Sequence, residues 1–181
     1  MIAALYVQEK SIYHTIPSCD PWPASRDARL YSGRGPIVAH PPCGPWGRLS
    51  HMCYKQDKTL APIAVGQVRK WGGILEHPCH SKLWQAGLGM SLPGGLPDAY
   101  GGITVELNQL DWGHVAVKPT WIYVVGATSW PEFPPRIPGD PLALCSRGRK
   151  LAGMDSKKRS ATPIDFAKWL LALALLCEAP Q

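Results

Sequence analysis

Two short segments carry the residue types that covalent chemistry needs. The first, His40-Pro41-Pro42-Cys43, closes an apolar run and is followed by Gly44-Pro45. The second, Glu76-His77-Pro78, closes the apolar run Gly73-Ile74-Leu75. A cysteine attacks as its thiolate, so a reactive Cys43 needs a lowered pKa, and His40, Arg48 and His51 are nearby groups that could supply it. The bland alternative is a buried structural thiol; the prolines on both sides of Cys43 favour the reactive role. Glu76 follows apolar residues, and such a setting raises a carboxyl pKa and suits general acid work. Its alternative is a helix cap or an ion-pair partner. His77 has a weaker claim to catalysis and could instead make a structural hydrogen bond.

These residues must be held by regular elements. Short β-rich apolar runs predict strands over 2–7, 36–40, 73–76 and 121–125, with a fifth over 103–107. A helix is expected over 60–71, with Ala61, Ala64, Val65 and Val68 on one face. A last helix follows Thr162, a natural N-cap, and Pro163, a natural first helical residue. Its apolar run is too short to cross a bilayer, which needs about 20 residues, so no membrane association is expected. Strand, helix, strand through 36–76 is a βαβ pattern with parallel strands, and ligands of such sheets bind at the carboxyl ends of the strands. Cys43 and Glu76 both fall there. Segments 8–35 and 127–160 read as polar or Pro-rich loops. The expectation is one α/β domain over 1–181, with helices on the faces of a Rossmann-like sheet.

The 181 residues carry 19 Lys and Arg against 13 Asp and Glu, a formal net charge of +6, which suits an anionic partner such as nucleic acid. Arg147, Arg149, Lys150, Lys157, Lys158 and Arg159 could bind phosphates as a group. Trp46 and Trp112 could stack on a base or pack in the core. The first residues lack the pattern of a signal peptide. The six cysteines are therefore expected as free thiols in a cytoplasm rather than as a disulfide framework. His40, Cys43, His51, Cys53, His77, Cys79 and His80 are all zinc-capable, but no Cys-x-x-Cys and no deaminase signature occurs, so no metal is assigned.

Four segments, in order, resemble the cytosine-C5 DNA methyltransferase family. Ile37 to Cys43 is similar to its nucleophile motif, a strand ending in Pro-Cys. Gly73 to Pro78 resembles its Glu-Asn-Val motif. Leu107 to Gly113 followed by Trp121 to Gly126 resembles the segment that ends in an Arg-containing strand. Arg159 to Ala167, with Thr162-Pro163 inside it, resembles the late Arg-x-x-Thr-Pro-x-x-x-Ala motif. The glycine-rich loop that holds S-adenosylmethionine is missing, since Leu5-Tyr6-Val7 is followed by Gln8-Glu9-Lys10-Ser11. Residues 1–35 are too few for the usual cofactor half, and 127–160 stand where a target-recognition domain would be. The Gln-x-Arg-x-Arg motif is also missing, leaving Lys118 as the nearest cation.

A methyltransferase-type sheet reduced to its catalytic half resembles phage-type amino acid:DNA transferases, which install glycine on activated 5-hydroxymethyluracil in DNA. The resemblance implies Cys43 as the nucleophile at C6 of a flipped base, Glu76 at N3, Lys118 at O2, and DNA contacts from Pro42, Trp46, Arg48, Thr162 and the basic run. It implies double-stranded DNA carrying modified thymine and an amine such as glycine as partners, no S-adenosylmethionine, and the host cytoplasm if the chain is phage-encoded. Two rivals stay open at this point: a methyltransferase that still uses S-adenosylmethionine, and a non-catalytic DNA-binding mimic.

Overall fold

A computed structural model describes residues 1–53, 55–136 and 160–179. Its centre is a six-stranded mixed sheet in the order β2-β1-β3-β4-β6-β5. The strands are β1 Ile2–Val7, β2 Cys19–Pro23, β3 Ile37–Ala39, β4 Gly73–Pro78, β5 Ile103–Asn108 and β6 Pro119–Val125. β2, β1, β3 and β4 run parallel. β6 is antiparallel to both β4 and β5. This reversal brings the start of β6 and the end of β5 to the rim where β3 and β4 end. The protein is therefore α/β, with the expected parallel βαβ unit at its middle.

Two helices cover the sheet, one on each face. Helix α1 (Leu60–Trp71) buries Ala61, Ala64, Val65 and Val68, the predicted face. They pack on Ile37, Ala39, Leu75 and Tyr123. Helix α2 (Ile164–Leu175) buries Phe166, Leu170 and Leu173 on the other face, against Val38, Ile74 and Ile122. Side chains alternate between faces along a strand, so Leu75 and His77 belong to the α1 side and Ile74 and Glu76 to the α2 side. Each fully buried Leu, Ile or Phe contributes about 2 kcal/mol by leaving water. Among the described residues no helix is long and apolar enough to cross a membrane.

Three details differ from expectation. Segment 8–35 contains β2, read as loop because Pro21 and Pro23 interrupt it. Proline cannot donate to a ladder, but an edge strand has a free side, and β2 is the edge next to β1. Thr162 does not cap α2; Pro163 holds the N-cap position with no side-chain cap bond. β6 begins at Pro119, two residues ahead of the apolar run that marked it.

The approach of β3 to β4 depends on Gly73, which has φ +111° and pairs with Ile37. A β-carbon there would collide with the backbone of Ile37. Gly73→Ala is expected to destabilise the protein by at least about 3 kcal/mol, since strained backbone and overpacking add. A urea titration checks this; a loss below 1 kcal/mol would mean that the strands separate easily.

Candidate active site

β3 leaves the sheet at His40, whose backbone N–H donates to Leu5 O at 3.0 Å. The chain then crosses the rim as Pro41-Pro42-Cys43 and closes a short turn over Gly44–Trp46, with Trp46 N donating to Cys43 O at 3.0 Å. Cys43 is exposed. Glu76, on the neighbouring strand, reaches the same rim with its side chain only 13% exposed.

Glu76 is the hub of a polar chain. His40 Nδ1 lies 3.0 Å from Glu76 Oε2. Gln109 Nε2 donates to Glu76 Oε1 at 3.0 Å and to Thr120 Oγ1 at 2.9 Å. Tyr13, fully enclosed by α2-side residues, places its hydroxyl 2.7 Å from His40 Nε2. A carboxylate only accepts, so His40 Nδ1 carries the proton that faces Glu76, and in that arrangement Nε2 accepts from the Tyr13 hydroxyl. Burial pushes the Tyr13 pKa well above its usual value, which keeps the hydroxyl as a donor.

Lys118 completes the group from the start of β6. Asn108 Oδ1 accepts from the Leu110 and Lys118 backbone N–H groups, at 3.1 and 3.0 Å, and so ties the end of β5 to the start of β6. The Lys118 ammonium donates to Ala161 O at 2.9 Å and Ser160 O at 3.4 Å, just ahead of α2. Its charge acts on both Glu76 and Cys43. Burial lowers the Lys118 pKa, and those two groups oppose the shift.

The electrostatics correct two expectations. Glu76 was expected to have a raised pKa. Burial does push it up, but the His40 hydrogen bond and the Lys118 charge outweigh burial, and the net shift is downward. Glu76 is thus held as a carboxylate. Cys43 was expected to be lowered. Although solvent reaches the residue, the protein packed around the thiol and the Glu76 charge push it up, with Lys118 pulling the other way. The resting thiol is protonated. His40 is engaged with Glu76 and Tyr13.

The other sequence candidates are spread more widely. His77 points to the opposite face, 1% exposed, with Nδ1 2.8 Å from Ser81 Oγ and its ring tilted against Trp84. It is placed under the loop, where the Pro41 and Pro42 carbonyls favour its charged form, but burial dominates and lowers its pKa to about 4. Trp46 is 7% exposed in the α1-side core, with the Lys58 ammonium 4.8 Å from its ring centre. Trp112 packs against Phe166 and Trp169. Arg48 is exposed, while Pro42 and Thr162 are half-buried. Arg147, Arg149, Lys150, Lys157, Lys158 and Arg159 lie outside the described residues. Among the described residues no three of His, Cys, Asp and Glu gather as a metal site. None of the five described cysteines is in a disulfide.

Sequence reasoning missed Tyr13, Gln109 and Thr120 and gave His40 another partner. Gln109 lay inside a segment already singled out; Tyr13 lay in a presumed loop with no pattern to mark it. No family model, curated protein or solved structure matches the chain.

His77 generates a pH prediction. Its folded pKa is depressed from 6.5 to about 4. Between those values the unfolded chain binds a proton that the folded one refuses, so stability falls as pH drops, by up to about 3 kcal/mol at about 1.4 kcal/mol per unit. Glu76 acts in a separate window: its stabilisation is present above about 4.5 and is lost as pH falls through its lower folded value. Denaturation of wild type and His77→Gln from pH 7 to 4 should give a flatter profile for the variant; parallel profiles would contradict a neutral buried His77.

Proposed function

We propose that this protein is a DNA-modifying transferase that attacks C6 of a flipped pyrimidine through Cys43 and installs an amino acid such as glycine on an activated 5-hydroxymethyluracil. The observation that carries the reading is Glu76, held as a carboxylate beside an exposed thiol. A uracil ring presents an N–H at position 3, and a carboxylate can accept from it; each Glu76 oxygen already takes one bond and keeps capacity for another. A cytosine ring presents a bare nitrogen there and would need a protonated Glu76. The electrostatics therefore favour a thymine-derived base. The mixed sheet, with β6 reversed between β4 and β5, is compatible with a methyltransferase-type fold.

The steps balance without a methyl donor. The Cys43 thiol loses its proton to solvent as it adds to C6, and electron density moves to the C5–C4–O4 enolate. Lys118, near both Cys43 and Glu76, favours the thiolate and the developing negative charge. The enolate expels a phosphate ester from the C5 methylene, breaking the C–O bond and leaving an exocyclic methylene. The amine adds to that carbon, forming a C–N bond and restoring the enolate. The amine sheds a proton, the C6–S bond breaks and the 5,6 double bond returns. His40, Tyr13 and Gln109 are positioning residues that keep Glu76 ionised and aimed.

The S-adenosylmethionine alternative meets a poor fit. A cavity of about 340 Å³ opens at the carboxyl ends of β1 and β2, against Pro42, and is lined by Tyr6, Val7, Asp27, Arg29 and Asp57. Its two carboxylates are already engaged, Asp27 by Arg29 and Asp57 by Thr59. Side-chain-bearing residues occupy the turn where close backbone approach to such a cofactor needs glycine. Tight binding of S-adenosylmethionine in a calorimeter would reverse this preference.

The direct test is nucleoside mass spectrometry of duplex DNA carrying phosphorylated 5-hydroxymethyluracil, incubated with protein and glycine. Wild type should yield the glycine-substituted nucleoside, Cys43→Ala none, and Glu76→Gln at least about 100-fold less. Identical nucleosides from wild type and Cys43→Ala would refute thiol catalysis.

A further inference from the structure

A second cavity, of about 500 Å³, adjoins the Cys43 loop and is lined by Pro45, Trp46, Ser50, Lys58, Lys82 and Gln85, among others. Its walls come from the turn after Cys43, the segment leading into α1 and the loop after β4. Two lysines from separate segments thus meet at one concavity whose lining holds no carboxylate. Both ammonium groups are held by neutral partners. Lys82 Nζ donates to Ser50 Oγ at 3.0 Å, and Lys58 Nζ sits over the Trp46 ring. Among the described residues neither lysine has a carboxylate within 4.0 Å. The buried Trp46 indole N–H has no hydrogen-bond partner. Converged positive charge, a hydroxyl, a side-chain amide and no counter-charge are the makings of an anion site. The volume suits a nucleotide-sized group.

We propose that this cavity binds a phosphate group of the DNA substrate beside Cys43, with Lys58 and Lys82 as its cations. The proposal rests on the transferase reading for its substrate. The phosphate has two possible sources: the backbone diester flanking the flipped nucleotide, or the ester carried by the modified base. Both would be recognised by the same charge and donors. Because the turn after Cys43 forms one wall, phosphate capture here would set the loop's position relative to the base.

Fluorescence anisotropy separates the sources with two duplexes, one of ordinary thymine and one with phosphorylated 5-hydroxymethyluracil, titrated against the full chain at several salt concentrations. For a backbone site, Lys58→Gln and Lys82→Gln each weaken both duplexes by about tenfold and reduce the salt slope by about one. For an ester site, they leave the ordinary duplex unchanged and remove the added affinity of the modified one. Lys82→Arg keeps the charge and should restore binding in either case, and thermal melts show that the variants fold. If neither duplex binds in a lysine-dependent way, and millimolar inorganic phosphate does not move the Trp46 indole resonance, the proposal is overturned. Lysine-dependent binding without transfer by wild type would remove the transferase reading and keep the cavity; transfer with normal binding by both variants would do the reverse.

Discussion

The site depends on keeping one carboxylate ionised while most of it is out of water. Isolated, a charge at the position of Glu76 would be too costly to hold, and the group would take up a proton instead. His40 and Gln109 each donate to one oxygen, and Lys118 adds a positive charge without touching it. Such compensation works only when every donor is in place, because removing one partner of a buried charge costs about 3–5 kcal/mol. The polar chain therefore constrains four parts of the fold together: the segment carrying Tyr13, the end of β3, the end of β5 and the middle of β4.

The reversed strand β6 makes that convergence possible. In an all-parallel arrangement the residue before a strand lies at the rim opposite the one after its neighbour. Because β6 runs against β4 and β5, Lys118 before β6, Asn108 ending β5 and Cys43 beyond β3 share one rim. The Asn108 side chain locks the β5–β6 junction, and Lys118 then reaches back to the carbonyls ahead of α2. The start of the last helix is thereby tied to the charge balance around the thiol.

The two faces of β4 serve different ends. Glu76, on the α2 side, remains charged at the rim that carries the Cys43 thiol. His77, one residue later and on the α1 side, is driven neutral by burial and supports the loop from beneath. With its pKa raised beside the Glu76 carboxylate, the resting Cys43 thiol is spared the reactivity of a free surface thiolate.

The amino-acid sequence by itself determined the local features. Apolar runs marked β1, β3, β4 and much of β6, the 3.6-residue period marked the buried face of α1, and the βαβ order put Cys43 and Glu76 on one rim. These depend on short-range patterns and on a general rule of parallel sheets. Three things were decided only by tertiary structure. β2 was hidden because two prolines are tolerated only at an edge, and edge position is a property of the assembled sheet. The pKa direction of Glu76 reversed because burial is outweighed by His40, 36 residues away in the chain, and by Lys118, and that of Cys43 reversed because burial and the Glu76 charge act together; no spacing reveals such a pairing. The meeting of Lys58 and Lys82 likewise follows from two segments packed together, since each lysine alone reads as an ordinary solvated charge.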